Sequence, residues 1–323
     1  MIAVHKYLRA IGFSKVKKRE ELQALIGEVV ERTILKPKNP EQDKIERINE
    51  YMFGRDITVD EEECVYAELF LDFTHGAGIC VRGEFDEDNS FLYEYHFPYV
   101  RGTHISSNED VTIERHAEKE SYAGVCDDIK VGVSLIFYLQ NMIPYKRLQA
   151  LNQLPVQGTS LILSALSVSG MIMMPIIKNE SERQRIKKAS FERNQLLAQA
   201  RMGDEEAIES LTLEDMDTYT MISRKIHKED VFSLVDTYFM PYGVECDQYS
   251  ILGEILEVYT DKNRLTGEEV VFMTVECNEL TLDICINQED LYGEAAAGRR
   301  FKGVVWLQGY INYPQENVPQ QFR

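Results

Sequence analysis

The chain has 323 residues, 44% of them hydrophobic and 28% charged, and its formal net charge is −19 at pH 7. This length and apolar content support a large core divided among two or three domains. The charged fraction and a count of only nine prolines argue against extensive disorder. Because an acidic surface repels phosphate backbones and anionic lipids, the charge disfavours nucleic-acid binding and membrane-surface binding.

Two helices are predicted at the N-terminus. The first spans His5–Ile11 and ends at Gly12, and the second runs from about Lys18 to Leu35 with apolar residues at three- and four-residue steps. Lys17 and Lys18 belong to a basic cluster where this second helix begins. A solvated helix entry is one interpretation of the cluster, and an anion-binding site favoured by the helix dipole is the other.

Strands with alternating polarity follow. They are predicted at Cys64–Phe73, Ile79–Glu84, Phe91–Tyr99, Val111–His116 and Val131–Leu139. The glycines of His75–Gly78 favour a hairpin turn between the first two strands. The third strand carries an aromatic residue at every second position, which are Phe91, Tyr93, Tyr95, Phe97 and Tyr99. Since strand side chains alternate, this row predicts a cross-strand core ladder, with a ligand platform as the alternative.

The stretch Gln149–Ile177 contains no charged residue and is long enough to span a bilayer. Four serines interrupt its apolar part, Gly170 and Pro175 break its regularity, and no Trp or Tyr marks its ends. We therefore predict two buried strands, Ser160–Leu166 and Met171–Ile177, joined by a turn at Val168–Gly170.

The longest helical pattern covers Ser181–His227. Ser181 and Gln184 form a candidate capping box, and Gly203 stands where a helix would end. Asp204 is predicted to cap a second, short helix, and Thr212 a third helix with Met216 on its buried side. A connector packed on its neighbours is the first interpretation. A partner-binding helix is the alternative, and it requires an exposed apolar face.

The C-terminal part is typical of a small barrel. Its predicted strands are Val231–Met240, Ile251–Thr260, Val270–Cys277, Leu280–Ile286, Phe301–Gln308 and Tyr310–Tyr313, with a short helix at Gln288–Ala297. Three strands, a helix and two further strands are the order of an OB-type barrel.

The sequence contains no recognisable catalytic motif. It has no nucleophile elbow and no phosphate-binding loop, and its histidines never stand at metal-ligand spacing, so we expect no metal and no cofactor. Cys126 precedes two aspartates whose charges raise a thiol pKa, which indicates a structural cysteine. An enzyme is the alternative if a site assembles from distant residues, for example around the His96 and Glu94 face of the third strand.

One cluster predicts a binding site. Arg299, Arg300 and Lys302 interleave with Phe301 and are followed by Trp306. Basic and aromatic residues on a barrel are typical of proteins that bind single-stranded nucleic acid. Against this stands the net charge of −6 over residues 251–323, and Trp306 fits a core position equally well.

Four stretches carry a resemblance to a known family. They are His5–Ser14, Leu211–Tyr219, Met240–Tyr249 and Gly298–Gly303 continued by Trp306–Gly309. Together they are similar to a family of proteins from Gram-positive anaerobes that is defined as a domain of unknown function. The resemblance covers nearly the whole chain and implies a bacterial cytoplasmic protein. It implies no activity, substrate or site residue.

The sequence thus predicts an α+β fold in three parts. Residues 1–178 form an α+β domain with N-terminal helices and an antiparallel sheet, residues 179–230 a helical connector, and residues 231–323 an OB-like β-barrel. Scattered cysteines without a Cys-x-x-Cys pair indicate a reducing cytoplasm. Our leading hypothesis is a non-enzymatic protein that binds a protein or a small molecule, and a homo-oligomer is left open. The candidate ligand-binding residues are Lys17, Lys18, Arg299, Arg300, Lys302 and Trp306.

Overall fold

The computed structural model describes residues 4–34, 44–48, 51–59, 65–88, 90–115, 122–128, 134–176, 180–225, 235–244 and 246–314. The helices are a 3-10 helix Lys6–Ile11, α1 Arg19–Ile34, α2 Met142–Ala150, α3 Glu180–Arg201, α4 Glu205–Lys225 and a 3-10 turn Gln288–Asp290. The strands are β1 Lys44–Ile48, β2 Tyr51–Val59, β3 Val65–Thr74, β4 Ala77–Phe85, β5 Phe91–Val100, β6 Val111–Arg115, β7 Tyr122–Cys126, β8 Leu135–Leu139, β9 Ser160–Met173, β10 Tyr238–Pro241, β11 Gln248–Lys262, β12 Glu269–Cys277, β13 Leu280–Asn287, β14 Leu291–Tyr292 and β15 Arg300–Asn312.

The first sheet is an antiparallel meander in which β1 to β5 pair in chain order, as the predicted α+β fold requires. The predicted hairpin turn between β3 and β4 is present, and Gly76 adopts a φ of 94° there. In β5 the aromatic row lies against the core, which confirms the core ladder. Phe97 and Tyr99 are buried, and the other three aromatic side chains pack on the same core from half-buried positions.

A bulge modifies the alternation of β5. Tyr95 pairs with Arg82 and Tyr93 pairs with Gly83, so Glu94 is one residue more than β4 can match. Gly83 is required at this point, because a Cβ there would lie 2.1 Å from the Leu92 carbonyl oxygen. The bulge bends β5 and lets the Tyr93 hydroxyl reach the His96 ring, three residues along the chain, at 2.8 Å.

The second sheet has ten strands, and five of them close into a barrel in the order β11, β12, β13, β9, β15. The barrel closes because β11 pairs with both β12 and β15. The predicted barrel is therefore confirmed, but one of its strands comes from elsewhere in the chain. Strand β9 precedes the long helices in sequence and lies between β13, to which it is parallel, and β15, to which it is antiparallel. The division into three domains stays a prediction.

Two details of the predicted barrel are wrong. The helix predicted at Gln288–Ala297 is a single 3-10 turn followed by the short strand β14. The last two predicted strands are one strand, β15. Gly309, which separates them in the sequence, does not mark a turn. It allows the ring of Phe137 to approach the backbone, since a Cβ at Gly309 would lie 2.3 Å from that ring.

The stretch Ser160–Met173 is one strand, so the prediction of two strands with a turn is wrong. Val305 pairs with Ser167 and Gly303 with Gly170, which leaves one extra residue in β9, a bulge at the predicted turn. Gly170 is needed there because a Cβ would lie 2.5 Å from the Phe301 ring. Within the described part of the chain, no helix is long and apolar enough to cross a membrane.

Two hydrophobic cores hold the fold together. The first lies between the first sheet and the outer side of the barrel and includes the N-terminal helices, with members Tyr7, Leu8, Ile11, Leu22, Val29, Leu69, Phe97, Phe272 and Trp306. The second fills the barrel and extends toward α2, with members Ile143, Leu163, Tyr249, Val271, Ile284, Phe301, Val305 and Leu307. Neighbouring residues of one barrel strand join different cores because strand side chains alternate.

Candidate interaction surface

The side chains of Lys17 and Lys18 are exposed where α1 begins. Their backbone N–H groups both donate to the carboxylate of Glu21, at 3.0 and 3.1 Å. The hydrogen bonds from Lys18 and Lys17 lower the pKa of Glu21. A carboxylate of the protein thus occupies the position at this helix N-terminus that an anionic ligand would take. The binding role of the two lysines stays a prediction, and a ligand would have to displace Glu21.

The three basic candidates at the start of β15, Arg299, Arg300 and Lys302, make different contacts. Arg299 bonds the exposed carboxylate of Glu294 at 3.2 Å. Arg300 is buried, and its guanidinium donates to the carbonyl oxygens of Met174 and Val235, each at 3.0 Å. These two carbonyls lie before α3 and after α4, so Arg300 joins the chain segments that lead into and out of the long helices. Lys302 is half-buried.

Trp306 lies in the core between the sheets, with 4% of its surface exposed. Its ring stacks on Tyr7, with the ring centroids 5.2 Å apart, and its indole N–H donates to Asp247 at 2.6 Å. Phe301 points into the barrel, on the other side of β15. Phe301 thus faces the barrel interior and Trp306 faces the core between the sheets, so neither candidate ring is exposed beside Lys302. The exposed aromatic residue in register with Lys302 is Tyr292, because both residues pair with Met171.

This burial predicts the fluorescence of Trp306, which is the one tryptophan in the chain. We expect blue-shifted emission that acrylamide quenches slowly, because the indole is packed against other rings. We expect single-stranded oligonucleotides at low salt to leave the emission unchanged, since base stacking requires an exposed ring. A saturable quench by oligonucleotides would contradict this expectation and favour nucleic-acid binding.

The alternative enzyme site at His96 and Glu94 is not assembled. Glu94 is exposed, whereas His96 is 3% exposed and its Nδ1 lies 2.8 Å from the Tyr93 hydroxyl. Burial lowers the pKa of His96 to about 4, so the ring is neutral at pH 7. Its Nε2 has no hydrogen-bond partner among the described residues. With a pKa of about 4 the buried imidazole is a weak base, whereas a general base works best with a pKa near the operating pH.

Cys126 is a buried thiol, as predicted for a structural cysteine. Burial raises its pKa to about 11, although the hydrogen bond with Ser107 opposes the shift. At neutral pH the sulfur is therefore protonated and a poor nucleophile. Among the described residues, no three His, Cys, Asp or Glu side chains come together as metal ligands would.

The long helices form a hairpin, Glu180–Lys225, that we call the helical hairpin. Its first helix ends as predicted at Gly203, which adopts a φ of 89°, and the Asp204 N–H returns to the Gln199 carbonyl at 3.2 Å. The Asp204 carboxylate then accepts hydrogen bonds from the N–H groups of Glu206 and Ala207, which confirms the predicted cap. The predicted third helix is not separate. The Thr212 hydroxyl bonds the Ile208 carbonyl inside α4 instead of capping a new helix.

The described side chains of the hairpin make few contacts with the rest of the protein. They reach the body through Ser190 and Asn194, which both bond Glu279 in the β12–β13 turn. Arg193 joins the two helices by ion pairs to Glu214, at 3.2 Å, and to Asp215, at 2.7 Å. No described residue of the hairpin belongs to either hydrophobic core.

Apolar side chains on the hairpin are exposed to an unusual degree. Among its described side chains, only Ala207 and Leu211 are buried. Phe191 on α3 is 63% exposed, and on α4 the exposed fractions are 58% for Leu213 and 63% for Met216. The expectation that Met216 is buried is therefore wrong. Helices of this length normally bury an apolar face by tertiary packing, so this surface lacks the cover that such helices have in folded proteins.

The exposed face of α4 has a defined pattern. Ile208, Thr212, Met216 and Thr220 follow one another at four-residue steps and form one ridge. Glu209, Leu213 and Asp217 form the neighbouring ridge, so carboxylates flank the exposed Leu213 and Met216. The helix has six Asp/Glu and two Lys/Arg, a net charge of −4. Its surface thus combines apolar and acidic groups.

This surface was not identified from the sequence, which offered a partner-binding helix only as an alternative. One signal for an exposed helix was present in the sequence, because α3 is only weakly amphipathic. Polar residues such as Arg185, Lys188 and Gln195, which the structure leaves exposed, reduce the number of apolar positions that could join a core. Exposure itself depends on which other elements pack against the helices, and local spacing does not contain that information.

Comparison with known proteins gives one assignment. No curated protein and no solved structure matches the chain. The family model described as "Domain of unknown function, E. rectale Gene description (DUF3881)" matches residues 8–309, nearly the whole length. This confirms the resemblance drawn from the four sequence stretches. The chain belongs to the DUF3881 family, a domain of unknown function.

Proposed function

We propose that the protein is a non-enzymatic binding protein that docks a helix of a protein partner on the α4 face of its helical hairpin. The observation that carries this proposal is the exposure of Leu213 and Met216 on a helix none of whose described side chains belongs to either core. Large apolar side chains grouped in this way mark interaction sites on soluble proteins. Methionine suits such a surface because its flexible thioether adapts to the partner.

The charge of α4 defines the chemistry of the partner. Leu213 and Met216 supply the apolar contact, and Glu209 and Asp217 flank it with negative charge. The complementary ligand is a helix whose apolar residues are flanked by lysine or arginine. Charges at such a rim contribute mainly to specificity and association rate, whereas the buried apolar residues contribute most of the affinity.

We further propose a cytoplasmic location for the protein, on the basis of its cysteines. Its described cysteines are free thiols, and four of them are buried: Cys80, Cys126, Cys277 and Cys285. Free thiols persist in a reducing compartment.

A peptide titration tests the docking face. We expect a fluorescent leucine/lysine amphipathic helix to bind, and its leucine/glutamate counterpart to bind at least about tenfold more weakly, because like charges repel across an interface. The titration is read by anisotropy at a protein concentration where sedimentation shows one species. Replacing Leu213 and Met216 by glutamate should abolish binding.

A matched control is Met240→Glu, since Met240 is an exposed methionine outside the hairpin, on β10. It should bind the peptide as the wild type does. Equal binding of both peptides, or unchanged binding after L213E/M216E, would contradict the proposed docking face.

A further inference from the structure

We infer that the helix docked on α4 is α3 of a second copy of this chain, so that two helical hairpins form an antiparallel four-helix bundle. This inference rests on the proposed function and names its partner. The first argument is the charge of α3. It carries six Lys/Arg and three Asp/Glu, a net charge of +3, against −4 for α4. The chain thus contains a helix of the chemistry that its own α4 requires.

The exposed surface of α3 has the pattern of a ligand for α4. Arg185, Lys188 and Phe191 follow one another at three-residue steps, so they share one side of the helix. Phe191 is 63% exposed, and the Lys188 side chain is 78% exposed and forms an ion pair with Glu192. An aromatic side chain beside basic groups provides the apolar anchor and the positive rim together.

Within one hairpin, α3 and α4 already contact each other through a pairing of basic with acidic side chains. Arg193 of α3 lies between Glu214 and Asp215 of α4, so basic groups of one helix meet acidic groups of the other. In a bundle of two hairpins the same type of contact recurs between copies. A two-fold axis makes it twice, with each α3 on the α4 of the other copy, which is the closed arrangement typical of homodimers.

Length and packing agree with this arrangement. The helices have 22 and 21 residues, and at ~1.5 Å per residue both are about 32 Å long, so they overlap along their whole length. A single hairpin buries only Ala207 and Leu211 among its described side chains. Four-helix bundles gain stability from an apolar core between all four helices, and the second hairpin would cover Phe191, Leu213 and Met216.

A charge-exchange experiment on the full chain tests the inference. One variant reverses α3 (Arg185→Glu with Lys188→Glu), and the other reverses α4 (Glu209→Lys with Asp217→Lys). Sedimentation velocity over a concentration series should show that the wild type dimerises. Each variant alone should dimerise about 100-fold more weakly, because like charges then face each other across the interface. An equimolar mixture of the two variants should dimerise as the wild type does, because opposite charges again meet in both contacts.

The controls reverse charges outside the hairpin. Lys15→Glu with Arg19→Glu matches the first variant, and Glu257→Lys with Glu276→Lys matches the second, since all four residues are exposed. Both controls should dimerise normally. Helix content, followed by circular dichroism, should be the same in every variant.

Three outcomes would overturn the inference: a monomeric wild type, dimerisation that persists in both hairpin variants, or a mixture that stays monomeric. The peptide titration separates this inference from the proposed function. If the leucine/lysine peptide binds while the wild type is monomeric, the docking face stands and its occupant is another protein. If the wild type dimerises as expected but the peptide fails to bind, the face is specific for the chain itself and does not accept basic helices in general.

Discussion

Replacing Arg82 by methionine is expected to lower the free energy of unfolding by about 3–5 kcal/mol. Arg82 is 1% exposed, and its Nε donates to Glu68 at 2.7 Å. The same guanidinium donates to the Tyr138 hydroxyl at 2.9 Å and to the Leu139 carbonyl at 3.0 Å, so it connects β4 of the first sheet to β8 of the second. Its loss leaves a buried carboxylate without its cation and a buried carbonyl without its donor.

The comparison with a surface pair isolates the effect of burial. Arg299→Met removes an ion pair to Glu294, whose side chain is 84% exposed, and should cost at most about 1 kcal/mol. Urea unfolding followed by Trp306 fluorescence measures both variants. The double variant E68Q/R82M should be more stable than R82M alone, because no uncompensated carboxylate remains. A decrease of less than about 1 kcal/mol in the free energy of unfolding of R82M would mean that the hydrogen bonds of Arg82 do not stabilise the contact between the two sheets.

Local patterns in the sequence predicted most of the elements but not their arrangement. The helix end at Gly203 and the cap at Asp204 depend on residues a few positions apart, and both are confirmed. The insertion of β9 between β13 and β15 depends on pairing between residues more than one hundred positions apart. Such pairing leaves no period in the local sequence. Ser169 and Gly170 indicated a turn at Val168–Gly170, whereas the register against β15 shows a bulge there. The two features look alike in sequence because both need a small, adaptable residue.

The charge of the candidate surface on α4 could be predicted from the sequence, but the exposure of its apolar side chains could not. The sequence shows a basic segment, residues 129–203, beside an acidic one, residues 204–250, with net charges of +7 and −9. This asymmetry predicts complementary contacts between segments. It fits a contact within one chain as well as a contact between two chains, and the ion pairs of Arg193 are of the first kind. The site residues chosen on β15 shared a sequence pattern, but Phe301 and Trp306 face different cores.

His96 is expected to make the protein less stable at acid pH. Burial holds its pKa at about 4 in the folded protein, against about 6.5 in an unfolded chain. Between these values the unfolded chain binds a proton that folded His96 does not bind, so unfolding is favoured as the pH falls. The contribution is fully present above pH 6.5 and is lost progressively as the pH falls toward 4. The expected loss is about 1.4 kcal/mol per pH unit and about 3 kcal/mol in all.

Urea unfolding at several values between pH 7.5 and 5 measures this slope. His96→Gln and His96→Phe cannot bind the proton, so both variants should lose about 2 kcal/mol less than the wild type over that range, whatever their stability at pH 7.5. Tyr93→Phe is the matched control. It removes the hydroxyl that contacts His96 Nδ1 but leaves the His96 ring buried. Because burial is the cause of the lowered His96 pKa, the pH dependence of stability should be that of the wild type. Equal slopes in the wild type and both His96 variants would mean that His96 gains its proton without unfolding, and that the packing around β5 admits water.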